Sequence, residues 1–295
     1  MTRIGLAQIR SRPHAAEANR SAGIDAAAAL FAQGADIVVL PEMTVPWYST
    51  DRGALEPLAE PLDGATVAAW HEQAQRHNGI VIGGLCERGG ASNEASDSEN
   101  DAAIGAVYNS AVAVDSSGVI AHYRKLHLFD TEKHCFAPGD AGLGTVETVH
   151  GSIGLCICYD LRFVEVVRLL ALRGADLICV PTAWVRGFDR RQYREGELIA
   201  HAEGALIQAN LSQVFIACVS QVGAGDGVEM LGSSVVADPY GRTVGGPLST
   251  QHEKLAVCDI DLSEARRAQA RSELITPRSD RRTDVYGLLH DGEVL

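Results

Sequence analysis

The segment QGADIVVLPE at 33–42 returns at 173–182 as RGADLICVPT. Both copies run Gly-Ala-Asp, four aliphatic residues and Pro, and each comes after a stretch of helical composition. A pattern recurring over that distance constrains the chain to two similar halves, each giving an α-to-β unit to one sandwich. In the first unit, residues 4–9 read as a strand, the alanine-rich 15–33 as a helix ended by Gly34, and 36–40 as a short buried strand. In the second, 163–173 reads as a helix capped by Gly174, and 176–180 as a buried strand ended by Pro181. The ends of the two repeated strands are therefore comparable places.

Further apolar segments at 80–85, 110–114, 153–157, 214–219, 233–237 and 254–260 read as strands. Turns at 115–118 and 238–241 each come after a strand in the manner of a hairpin, so the sheets are expected to be mixed. Residues 89–103, small and acidic with little to bury, read as a mobile surface loop. The Arg-rich, polar 263–284 reads as a closing helix and then an irregular arm of the kind that packs on a partner subunit. With 295 residues, the chain is expected to build one large α/β core over 1–295.

Composition narrows the functions. A formal charge of −13 disfavours a nucleic acid partner, which draws on clustered Lys and Arg. An anionic small substrate stays open if local positive groups receive it. No apolar run approaches the length that crosses a bilayer, and the start MTRIGLAQIR lacks the features of a signal peptide, so a cytosolic protein is expected. Seven scattered cysteines, an odd number set mostly among aliphatic residues, fit reduced buried thiols better than a disulfide framework.

Cys158 is set apart because GSIGLCICYDLRF at 151–163 runs an aliphatic strand into a polar turn and a helix. There a thiol is exposed at a sheet edge, and a helix N-terminus would favour a thiolate and offer N–H groups to an oxyanion. A buried structural thiol fits Cys158 about as well, and fits Cys156 better. A thiol of ordinary pKa needs a base, and amide cleavage an acid for the departing nitrogen. Glu42, just past the first repeated strand, could serve as both, though its position equally suits a solvated loop carboxylate. Lys125, flanked by Leu126, Leu128 and Phe129, could stabilise thiolate and oxyanion, or could snorkel to the surface. His122, His127, His134 and Cys135 lack metal-site pairing, so no metal and no cofactor are expected.

LPEM at 40–43, YRKLHLF at 123–129 and GLCICYDLRF at 154–163 together resemble the nitrilase, or carbon-nitrogen hydrolase, superfamily, amidase-like members above all. The resemblance extends through Tyr108-Asn109-Ser110, Pro138-Gly139-Asp140 and Gly232-x-Ser234 to Asp238-Pro239-x-Gly241. It implies a four-layer α-β-β-α sandwich with two mixed β-sheets, usually dimerised. It makes Glu42 general base and acid, Lys125 the oxyanion-stabilising lysine and Cys158 the nucleophile. Glu132 is similar to a second glutamate of many amidase-like members, one residue closer to Lys125 than in the pattern. Two stretches depart from it, Gln208-Ala209-Asn210-Leu211-Ser212 and Ser220-Gln221-Val222-Gly223, which concerns the subfamily more than the chemistry.

The expected reaction is hydrolysis of a small linear amide through a thioester, releasing ammonia, with the Tyr159 N–H helping Lys125 to hold the oxyanion. An N-carbamoyl substrate, releasing carbon dioxide as well, is the alternative, and an idle binding protein on the same fold a second. Trp47, Tyr48 and Trp184 are pocket candidates, each equally suited to core or interface packing. Arg162, Arg186, Arg190 or Arg191 could receive a substrate carboxylate.

Overall fold

The computed structural model describes residues 1–90, 105–140, 142–188, 191, 193–290 and 292–295. The first half contains β1 (Thr2–Gln8), α1 (Ala16–Ala32), β2 (Ile37–Val39), α2 (Arg52–Leu55), α3 (Ala65–His77), β3 (Ile80–Arg88), β4 (Val107–Asp115) and β5 (Gly118–Arg124). The second contains β6 (Thr145–Thr148), β7 (Gly151–Leu155), α4 (Val164–Leu172), β8 (Leu177–Thr182), α5 (Ala200–Ser212), β9 (Phe215–Ser220), β10 (Val222–Gly225), β11 (Val228–Leu231), β12 (Val235–Ala237) and β13 (Thr243–Gly245). The chain closes with β14 (Lys254–Ile260), α6 (Ser263–Arg267) and a small hairpin of β15 (Leu289–His290) and β16 (Glu293–Val294).

Two six-stranded mixed sheets result, ordered β14-β1-β2-β3-β4-β5 and β6-β7-β8-β9-β12-β13. Reading across each in that order, the pairings are antiparallel, parallel, parallel, antiparallel, antiparallel in both. The sequence repeat is thus a repeat of topology, with β2 and β8 in equivalent central places. Gly34 and Gly174 end α1 and α4 at φ +87° and +98°, a left-handed cap that a Cβ would disfavour. The turns at 115–118 and 238–241 do join antiparallel strands, β4 to β5 and β12 to β13.

The four aliphatic residues of each repeat are explained by burial on both faces of a central strand. Ile37 and Val39 point to the interior shared with the second sheet, where they join Ile4, Leu155, Ile178 and Ile216. Val38 and Leu40 point the other way, under α1 and α3, beside Leu30 and Trp70. The α4 and α5 helices cover the second sheet, completing an α-β-β-α sandwich.

One expectation is corrected. Pro181 does not end its strand: β8 continues to Thr182, with Pro181 beside Val219 of β9. Cys179 faces β7, so Pro181, two residues on, carries its missing N–H towards the same side, where β7 has already stopped at Leu155. The arm after α6 is mostly irregular, as its composition predicts. Residues 91–103 of the expected mobile loop lie outside the described residues; Gly89 donates to the Ala106 carbonyl at 2.8 Å and extends the β3–β4 ladder. Among the described residues, no helix is long and apolar enough to cross a membrane.

Candidate active site

The chain ends of β2, β8 and β9 meet between the two sheets. The Glu42 and Gln221 N–H groups both donate to the Thr182 carbonyl, at 3.3 and 3.2 Å. The Gln221 side chain then donates to the Glu42 carbonyl at 2.7 Å and to that of Met43 at 3.2 Å. Gln221 therefore holds the backbone of the Glu42 segment. Gly84 on β3 passes so close that a Cβ there would lie 2.6 Å from both Glu42 Cα and Met43 N, too near for any side chain.

Lys125 comes directly after β5, anchored by its N–H to the Asn109 carbonyl at 2.9 Å. It does not snorkel: Lys125, Glu42 and Glu132 are all buried. Its Nζ donates to Glu42 Oε1 at 2.7 Å and to Glu132 at 2.8 Å. Asn109 Nδ2 adds a 2.7 Å bond to Glu42 Oε1, while Glu42 Oε2 is buried with no partner among the described residues. Glu132 sits in a 3-10 turn, 130–134, accepts from the Phe129 N–H at 2.8 Å, and takes the Tyr48 hydroxyl at 2.8 Å. Burial works against the charge of Lys125, yet Glu132 and Glu42 outweigh it and hold the ammonium above its usual pKa. Burial raises Glu42 above its ordinary 4.5, with Lys125 opposing and Glu132 adding to the rise.

Cys158 occupies the elbow after β7, at φ +45°, a left-handed conformation that an L-residue adopts at a cost. Its surroundings differ from the expectation in one respect. The elbow is a 3-10 turn, 158–162, and α4 begins only at Val164, so no long helix N-terminus faces the sulfur. Burial, then the Glu42 carboxylate, push the thiol well above its usual pKa, against Lys125 and the Ala183 N–H. A thiol pKa raised in this way favours the protonated form, from which attack would need a base. Cys156, two residues earlier, is packed in the core.

Beside the sulfur opens a cavity of about 40 Å³, lined by Tyr48, Phe129, Cys158, Tyr159, Leu161, Arg162, Ala183, Trp184, Val185, Phe188, His201 and Gly204. Its walls interlock: Phe129 meets Tyr159 at 5.2 Å and Phe188 at 5.4 Å, edge to face, and the Arg162 guanidinium lies 4.6 Å over Phe188. Tyr48, Tyr159 and Trp184 are thus brought to the cavity with Cys158. Trp47 does not line it: it is buried, donating to Asp226 at 3.0 Å. Arg186 pairs with Glu229 at 2.7 Å and Arg191 with Glu203 at 2.6 Å; Arg190 lies outside the described residues. Among the described residues, no group of three or more His, Cys, Asp or Glu side chains could hold a metal ion.

The supporting residues carry little signal in the sequence. Asn109 stands out only within the Tyr108-Asn109-Ser110 resemblance, and nothing near Asp160 marks it as a partner of two segments. Phe129, Phe188 and His201 come to the cavity from three separate segments, and no local pattern announces that convergence.

The carbon-nitrogen hydrolase family model matches residues 3–270. A nitrilase from Pyrococcus abyssi is 30% identical over 86% of this chain and 87% of its own length. A 2-oxoglutaramate amidase from Bacillus subtilis is 32% identical, covering 85% and 87% respectively. Among solved structures, a mutant of the amidase from Nesterenkonia sp. AN1, with the acetamide moiety of fluoroacetamide added at its active-site cysteine, superimposes with a TM-score of 0.75 at 24% identity, over 96% of this chain and 95% of that one. That likeness bears out the sandwich fold. The chain belongs to the carbon-nitrogen hydrolase family of the nitrilase superfamily, and is a hydrolase of carbon-nitrogen bonds other than peptide bonds.

Proposed function

We propose that the protein hydrolyses a small linear primary amide through a thioester on Cys158, releasing ammonia. The observation that carries the reading is the buried Lys125 ammonium bridging two carboxylates beside a cavity that the Cys158 side chain lines. The unpartnered Glu42 Oε2 is the acceptor for the thiol proton. As sulfur attacks the carbonyl carbon, Lys125 and the Tyr159 N–H receive the oxyanion. Protonated Glu42 then gives its proton to the nitrogen, the C–N bond breaks, and ammonia leaves. Glu42 next takes a proton from water attacking the thioester, and the acid departs as the proton returns to sulfur. Glu132 holds Lys125 and Tyr48 in place rather than moving protons.

A cavity this narrow has room for a few water-sized groups, and its walls are mostly aromatic and aliphatic, so a short apolar acyl group fits it best. The whole chain is read as one catalytic unit, because Glu42 and Lys125 come from the first half and Cys158 from the second. Ammonia assays of wild type and Cys158→Ala on short aliphatic amides and N-carbamoyl amino acids test the reading. Release from the amides by wild type alone is expected. Carbon dioxide accompanying ammonia from a better N-carbamoyl substrate would replace the amide reading, and turnover by Cys158→Ala would remove the thioester.

A further inference from the structure

The Asp160 carboxylate is fully buried two residues after the nucleophile, and all of its described bonds go to the two segments that carry Cys158 and Lys125. Its Oδ2 accepts from the Ile157 N–H at 3.0 Å, immediately before Cys158, and from the Tyr123 hydroxyl at 2.8 Å. Its Oδ1 accepts from the His127 N–H at 3.0 Å and from His127 Nδ1 at 2.8 Å. Tyr123 and His127 lie two residues before and two after Lys125. The Asp160 N–H closes the elbow by donating to the Ile157 carbonyl at 2.9 Å. His127 is itself held, stacked on Phe163 at 3.5 Å, just past the same elbow.

We infer that Asp160 is a positioning residue, one carboxylate that fixes the distance between the Cys158 sulfur and the Lys125 ammonium. The inference rests on the roles proposed above for those two groups. The geometry explains why an acid is needed: four N–H and O–H donors converge from two segments, and an amide in its place would turn an NH2 group towards some of them. It also explains how Cys158 is kept at φ +45°, since the elbow is tied on both sides of the sulfur. A displacement of the ammonium from the sulfur by about 1 Å can cost about a hundredfold in rate.

The test is Asp160→Asn, read in two ways. Steady-state kinetics on the best amide should show kcat reduced about tenfold or more with KM changed less than about twofold, because the cavity walls are left in place. Alkylation of Cys158 by iodoacetamide across a pH series needs no substrate, and its midpoint should move up by about one unit as the ammonium withdraws. Tyr123→Phe, which removes one of the four donors to the Asp160 carboxylate and with it the weak acceptor of the Leu126 N–H at 3.4 Å, should give a smaller change of the same kind and decides the matter if Asp160→Asn does not fold. An unchanged alkylation midpoint with unchanged kcat in a folded variant would overturn the inference. If wild type cleaves no amide, the proposed function falls, and the alkylation series still tests the clamp.

Discussion

Three segments to which the proposed mechanism assigns the chemistry each contain a non-glycine residue with positive φ: Met43 after Glu42, Asp130 before Glu132, and Cys158 itself, at +48°, +47° and +45°. Such conformations persist only where the surroundings over-determine them, and here the bonds of Gln221, Phe129 and Asp160 supply that determination. The Lys125 ammonium has two of its three N–H directions spent on Glu42 and Glu132 among the described residues, which leaves one for an oxyanion. The raised Glu42 has a direct kinetic consequence. In the proposed mechanism its carboxylate is the base, so activity would fall as pH drops through its pKa; because that pKa lies above 4.5, the acid limb of the kcat/KM profile is expected above 4.5. A limb at or below about 4 would mean that another group, or an already ionised thiol, governs the attack.

The elements supporting the site have a charge cluster of their own. Glu87, near the end of β3, takes Arg124 at 2.6 Å, His122 at 2.7 Å and Ser110 at 2.5 Å, and Ser110 and Arg124 are the chain neighbours of Asn109 and Lys125. Burial would raise Glu87, but the bonds from His122 and Arg124 win and bring it down to about 2. A carboxyl depressed in the folded state favours unfolding when protonated, so its contribution is full above about 4.5 and is lost as pH falls towards 2. Denaturant titrations should show wild type losing up to about 3 kcal/mol more than Glu87→Gln over that interval, on the basis of about 1.4 kcal/mol per pKa unit. Parallel loss in both proteins would show that Glu87 contributes nothing there. How far such elements were legible depends on distance along the chain. The repeated strands declared themselves because both faces are buried and the run of apolar residues is unbroken. Pro181 misled because its missing N–H falls beyond the end of β7, a fact of pairing rather than of sequence. The Cys158 elbow was found by its strand-to-turn pattern, but the 3-10 turn that withdraws the helix from the sulfur has no local signal.

The whole molecule explains why the reactive groups come from different halves. Two sheets of the same topology face each other, and the ends of their equivalent strands β2 and β8 are bonded through Thr182, so the residues just past β2 lie against those just past β8. Glu42 lies past the end of β2; Ala183 and Trp184 lie past β8, and Cys158 past β7 beside it. The three residues of the proposed triad stand in three motifs readable in order, while the cavity wall was not readable, because its aromatic residues lie far apart in sequence and touch only after the sheets pack. Trp47 shows the limit most plainly: its neighbour Tyr48 reaches Glu132, and Trp47 turns to Asp226 instead. The most direct measurement is rapid-quench mass mapping of wild type and Cys158→Ala mixed with a short aliphatic amide. A transient addition of one acyl group is expected on the peptide that contains Cys158, forming and decaying at rates compatible with ammonia release. Ammonia release at full rate with no adduct, or an adduct on any other residue, would contradict the proposed mechanism.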